Sequence, residues 1–407
     1  MNAEMLLALR DPAGVPSHPL VFLLLGVLTF ALHIAAVQVM LGAGTLVLSG
    51  AFRADVRWRR LAAAMLATSK IAVSVAIVIG VAPLLFVQVV YDPFWYTSNV
   101  LSAWWVIGFI VILIAGYSAM YGFYWLNEDL RARPARGGWL MVASLALLLL
   151  VGWIMHVLSY QMLWPEQWRE WYAPGGTVDA SGRTLHAYSV ARFAFFIALA
   201  APVTGAWLVA VRRYLIGAQE ADAGYLALLQ RLSQQLLLGG GAVAVVAGAA
   251  WMAMLPEKMA WFLGSAPMVL AAAMLVLTVL LPSALGRRLD QGGWGYAVFG
   301  VGAVALIVVA AAREWLRYVT LLGAHGYDAM TYRVNFDAYS TVTFFATFAI
   351  VGGVVLGWLL TVAWQAGQTR GTYTPSPAVA RLGRWSVALI ALWIVHYFAI
   401  GAWVMVR

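Results

Sequence analysis

Four histidines lie inside hydrophobic segments: His33 in Val21–Gly50, His156 in Trp139–Leu163, His186 at the head of Leu185–Val211, and His396 in Val387–Met405. An ionisable group at membrane depth is costly and needs a partner, so its default reading is functional. Imidazole is also the commonest protein ligand for metals and a standard axial ligand of haem iron. A histidine bonded to a neighbouring carbonyl or hydroxyl is the plain alternative for each. Arg192, about two turns beyond His186, needs an anion, supplied by a haem propionate or by a carboxylate. Glu314 and Arg317 stand at i, i+3, which fits either an iron ligand with its neighbour or a surface ion pair, and spacing alone favours the pair. Met268 offers a thioether, although most of the 15 methionines fill core.

The elements that must position these residues follow from composition. The chain has 407 residues, 64% hydrophobic and 10% charged, which excludes an ordinary soluble domain. With no cysteine it has no disulfides, no thiolate-ligated iron–sulfur cluster and no covalent c-type haem, so a redox cofactor would be non-covalent. The first apolar run is too long for a cleaved signal and should remain as a helix.

Ten stretches are long enough to cross a bilayer as helices: 20–50, 64–90, 100–125, 138–163, 185–212, 232–255, 260–284, 293–312, 340–365 and 385–405. The expected fold is therefore an all-α, polytopic transmembrane helix bundle in one domain, 1–407. Basic residues test the map. Arg53, Arg57, Arg59, Arg60, Lys70, Arg131, Arg133, Arg136, Arg212, Arg213, Arg231, Arg287, Arg288, Arg370, Arg381 and Arg384 fall on one side. Arg10, Arg169, Arg183, Lys258, Arg313, Arg317, Arg333 and Arg407 fall on the other. The richer side should be cytoplasmic, which places both termini outside, on the periplasmic face of a bacterial inner membrane. The formal charge of +9 then reflects topology rather than nucleic acid. The longest outer loops, 164–184 and 313–339, are either docking surfaces or a lid.

Together these stretches resemble subunit I of the cytochrome bd oxygen reductases. Phe30-Ala-Leu-His33 with Gly42 and a basic loop resembles the family's first helix, and Lys70 to Gln88 with Gly80-Val-Ala82 its second. Gly152-Trp-Ile-Met155 resembles its fourth, and Leu185-His-Ala-Tyr-Ser189 the family's Val-His-Thr-Val-Ser. Arg313-Glu-Trp-Leu-Arg317 is similar to the Ala-Glu-x-Gly-Arg segment. The resemblance covers about 20–365 and leaves 385–405 as an additional span, so His396 gains nothing from it. It implies a low-spin haem b on His186 and Met268, and high-spin haem b or haem d at His33 and Glu314; Arg192 and Arg317 are candidates for the cofactors' anionic groups from their own positions. It also implies other membrane subunits and an electron donor.

Two departures narrow that expectation. Only Pro256–Met259 joins spans six and seven, where the family has a long quinol loop. Gly108 and Gly116 stand where the family's third helix carries proton-conducting glutamates, and Gln88 replaces another glutamate. The expected function is electron transfer through haem b, with an outer-side c-type cytochrome as donor, quinol unsupported, and oxygen reduction only in its fullest form. The alternative is a haem-free anchor or scaffold subunit of a larger redox complex. A transporter would show paired repeats and broken helices, which are not evident.

Overall fold

A computed structural model describes residues 3–369 and 371–406, so Arg370 and Arg407 of the charge count lie outside the described residues. It is 81% helical, and no strand occurs among the described residues. Among the described residues, ten helices are long and apolar enough to span a membrane. They are α1 (Pro19–Gly50), α2 (Val56–Val90), α3 (Ala103–Leu126), α4 (Gly138–Gln161), α5 (Val190–Gly217), α6 (Ala223–Ala253), α7 (Ala266–Asp290), α8 (Trp294–His325), α9 (Ala338–Gln368) and α10 (Pro377–Val406). Such helices satisfy their own backbone hydrogen bonds, as a bilayer core requires. Their outward faces carry the apolar residues that lipid tolerates, such as Ile107, Val111 and Ile114 on α3.

The chain divides into two compact units. Of the described residues, the larger comprises 3–14, 19–213 and 221–333 and contains α1 to α4, most of α5, and α6 to α8. Within it, neighbours in sequence pair: α1 packs on α2, α3 on α4, α5 on α6 and α7 on α8, and α8 also lies against α1. Polar side chains tie these contacts across helices. Ser69 Oγ donates to the Met40 carbonyl at 3.0 Å, Ser144 Oγ to the Gly116 carbonyl at 2.7 Å, and Gln38 Nε2 to the Phe196 carbonyl. Each such bond contributes about 0.6 kcal/mol in a membrane. Gly42 allows α1 to approach α5 closely, because a side chain there would collide with the Thr204 hydroxyl. The smaller unit, described residues 15–18, 214–220, 334–369 and 371–406, holds α9 packed on α10.

Three boundaries differ from the sequence expectation. α8 does not end at 312: it continues to His325 and stops at Gly326, which takes φ 65°. Charged Arg313, Glu314 and Arg317 interrupt the hydropathy, yet buried Leu316, Thr320 and Leu321 continue the helical stripe. Glu314 and Arg317 are therefore mid-helix residues, not the start of an outer loop. α5 begins at Val190 rather than 185, because Ser189 caps it by accepting the Arg192 backbone N–H at 3.2 Å. His186 thus precedes the helix that carries Arg192. α2 begins at Val56, capped by Asp55, which accepts the Arg57 backbone N–H at 2.8 Å and brings Arg57, Arg59 and Arg60 into the helix.

Candidate functional site

The larger unit contains a partly open cavity of about 380 Å³, within the size range of small-molecule and cofactor sites. His33 and Gln38 of α1, Gly80 of α2, His156 of α4, Arg192 of α5, and Arg313, Glu314 and Arg317 of α8 all line it, as does Tyr91.

His33 is held in one tautomer. Its Nδ1 lies 2.9 Å from the Ala76 carbonyl, which can only accept, so Nδ1 carries the proton and Nε2 keeps its lone pair. A carbonyl on the far nitrogen is the usual support of a metal-ligating imidazole. The ring rests on the bare backbone of Gly80, where a Cβ would stand 2.8 Å from His33 Cε1 and Nδ1. One glycine and one carbonyl, four residues apart on α2, thus fix the imidazole.

Charge in the cavity is unbalanced. Three arginines, Arg192, Arg313 and Arg317, face one carboxylate, Glu314. Arg317 Nη1 donates to Glu314 Oε2 at 3.0 Å, while the Tyr91 hydroxyl donates to Oε1 at 2.8 Å. The expected ion pair is therefore present, but buried rather than on the surface: the side chains of Arg317 and Glu314 are 7% and 16% exposed. Arg313 lies over the Phe30 ring at 4.1 Å, and Arg192 lies over Tyr160 and Trp251. Arg192 Nε is buried and has no hydrogen-bond partner. Unpaired guanidinium groups at this depth require an anion.

The remaining sequence candidates divide. His156 lines the cavity, but its Nε2 already accepts the Ser189 backbone N–H at 3.1 Å. It stacks between Trp153 and Tyr160, which makes it a helix contact. Met268 lines a second, largely apolar cavity of about 300 Å³ that Arg313 also borders. His186 lines neither cavity. It stacks on Trp171 at 5.0 Å, and its backbone N–H donates to Gln161 Oε1. Burial there pushes its basicity down. His186 and Met268 are thus not brought to one cavity, because His186 sits in the extended approach to α5. In the smaller unit, His396 Nε2 lies 2.8 Å from the Tyr339 hydroxyl, the plain alternative of a tied helix pair.

Tyr91 and Arg313 escaped the sequence search for chemistry. Arg313 stands in the sequence among the outer-side charges, and Tyr91 carries no chemical pattern of its own. The signal for Arg313 is the Arg-Glu-x-x-Arg spacing, which a helix over 313–325 places on the cavity wall; Tyr91 reaches Glu314 only through the fold.

A haem fits the donors present. His33 Nε2 is available as one axial ligand, and the uncompensated arginines match two propionates in charge. Glu314 is less suited as a second ligand, since both its oxygens are engaged. Among the described residues no three His, Cys, Asp or Glu side chains converge on a bare-ion site. Haem needs only one or two protein ligands. No protein-family model matches this chain, and no curated protein matches it.

Proposed function

We propose that the chain is a haem-b-binding electron-transfer protein of the bacterial cytoplasmic membrane, built on the plan of cytochrome bd subunit I. The carrying observation is His33: its Nδ1 is committed to the Ala76 carbonyl, its ring is seated on Gly80, and three arginines with one carboxylate share its cavity. The haem would supply a one-electron couple. His33 would orient and hold it, Arg192 and Arg313 would pair with its propionates, and the apolar wall from Phe30, Phe193 and Phe196 would keep water away. Neighbouring positive charge favours the reduced, more negative state and so raises the potential.

Both termini would face the periplasm, which puts the 164–184 loop on the side of a c-type cytochrome donor. Oxygen reduction is not carried forward, since Glu314 is engaged and α3 offers glycine at 108 and 116. The competing proposal, a haem-free anchor subunit, is favoured by the separate settings of His186 and Met268.

Haem content of the purified protein, read as the pyridine haemochrome of wild type and His33→Ala, separates the two. Wild type should carry haem b and His33→Ala should lose it. A haem-free wild type leaves the anchor.

A further inference from the structure

We infer that Lys70 and the tyrosines beside it bind the headgroup of an anionic phospholipid in the seam between α2 and α3. In sequence Lys70 belongs to the charges of the basic side, and it does not line the cavity of His33. Lys70 stands about 16 Å along α2 from Arg59. Arg59 in turn reaches the Ala132 carbonyl in the loop that follows α3. The backbone of Lys70 therefore lies within the apolar layer, while its side chain turns back toward the basic end. Its ammonium sits 3.4 Å from the centre of the Tyr124 ring, close to the end of α3 at Leu126, and 5.7 Å from that of Tyr121.

Among the described residues no carboxylate pairs with Lys70. A cation at membrane depth needs an anion. The ring faces attract the ammonium but supply no net charge, and they leave N–H groups free to donate. One turn further along α2, Ser74 Oγ donates to the Lys70 carbonyl at 3.1 Å. The same oxygen lies 3.3 and 3.4 Å from the hydroxyls of Tyr117 and Tyr121, whose ring centres are 4.6 Å apart. These contacts hold Tyr117 and Tyr121 against α2 and keep the aromatic floor in place beside the ammonium.

The seam opens to lipid. Ile71 and Val75 of α2, beside Lys70, and Trp125 of α3, beside Tyr124, are exposed on the outward faces of their helices. Because α2 packs on α1 and α3 on α4, this is where two helix pairs meet. An anion that enters from the lipid side must carry an apolar body with it. A phospholipid of the leaflet on the basic side supplies both parts: phosphate oxygens for the ammonium, and an acyl chain along Ile71, Val75 and Val78. A net-negative headgroup is favoured over a zwitterionic one, whose own cation offsets the attraction. The inference uses neither haem nor the cavity and stands apart from the proposed function.

The test is a titration of the delipidated full-length chain in detergent with phosphatidylglycerol, and with phosphatidylcholine of the same chains. Bound lipids are counted by native mass spectrometry, and circular dichroism confirms helix content in each variant. Wild type should prefer phosphatidylglycerol. Lys70→Gln should weaken its tightest phosphatidylglycerol binding about fivefold, the contribution of one basic residue near anionic lipid. Lys70→Arg should bind as wild type does. Arg131→Gln removes the same charge from an exposed loop position on the same side and should change binding little. Equal weakening in Arg131→Gln and Lys70→Gln would overturn the site in favour of net charge, and undiminished binding in Lys70→Gln would overturn it outright. A wild type without the preference would do so too, leaving the seam to another membrane protein. Excess inorganic phosphate should not displace the lipid; displacement would show a free-anion site instead.

Discussion

Gly80→Ala should empty the cavity of haem without touching any ligand atom. The new methyl would stand 2.8 Å from Cε1 and Nδ1 of His33, closer than carbon packs against a ring, so the imidazole must move. Moving it weakens the 2.9 Å bond to Ala76, worth about 0.5–1.5 kcal/mol. Overpacking a closely packed site adds about 1–3 kcal/mol. The helix itself gains about 1 kcal/mol from alanine, so the clash wins and the local balance remains unfavourable by roughly 0.5–3.5 kcal/mol. For cofactor retention, loss of the carbonyl that orients a ligating histidine costs about 10–100-fold in affinity. Gly108→Ala is the matched control, also glycine to alanine in a long helix, with nothing within 4 Å of the added carbon. The assay is haem per protein after washing in detergent, by pyridine haemochrome, with circular dichroism to confirm helix content. Gly80→Ala should retain a small fraction of the haem and Gly108→Ala all of it. Equal occupancy in both would refute the claim that Gly80 and Ala76 position the ligand.

Arg192→Gln should lower haem retention more at low salt than at high salt, because the unpartnered guanidinium is assigned to a propionate and salt screens that pairing; a salt-independent loss in a haem titration would speak against it. His186→Ala and Met268→Leu should leave the reduced-minus-oxidised spectrum unchanged, since the two residues stand in different surroundings; loss of a band in either would restore the ligand pair that the resemblance implies. Asp92 gives a signed pH effect. Its folded pKa lies above the ordinary carboxylate value of about 3.9, so between the two the folded chain binds more protons than the unfolded one. At this site stability should rise as pH falls through the raised value and level off below the ordinary one. Thermal unfolding scans of wild type and Asp92→Asn should show this increment in wild type alone. Ser189→Ala removes the acceptor for the Arg192 backbone N–H and should destabilise the start of α5 by about 1 kcal/mol, measured as a lower unfolding midpoint.

Much of the membrane architecture was legible in sequence, because a bilayer demands one unbroken apolar run per span and the chain supplies ten. Boundaries failed where charge and burial part company. Hydropathy stops at Arg313, whereas the helix runs to His325 because its charged residues turn toward a cavity, not toward water. His186 erred in the opposite sense: its apolar neighbours continue the run of α5, but Ser189 is a better cap than a helix interior, and the residues before it are extended. Within the site, His33, Arg192, Glu314 and Arg317 were visible as ionisable groups in or beside apolar segments. Their convergence was not, because it depends on α8 lying against α1 and on the orientation of each helix. The roles of Gly80 and the Ala76 carbonyl depend on backbone proximity and leave no trace in residue type.

The most direct test is a dithionite-reduced minus oxidised spectrum of the purified wild-type protein, paired with His33→Ala. Haem held by His33 gives a haem-b α-band in wild type that is lost in His33→Ala. A wild type with no haem band, or an undiminished band in His33→Ala, would contradict it.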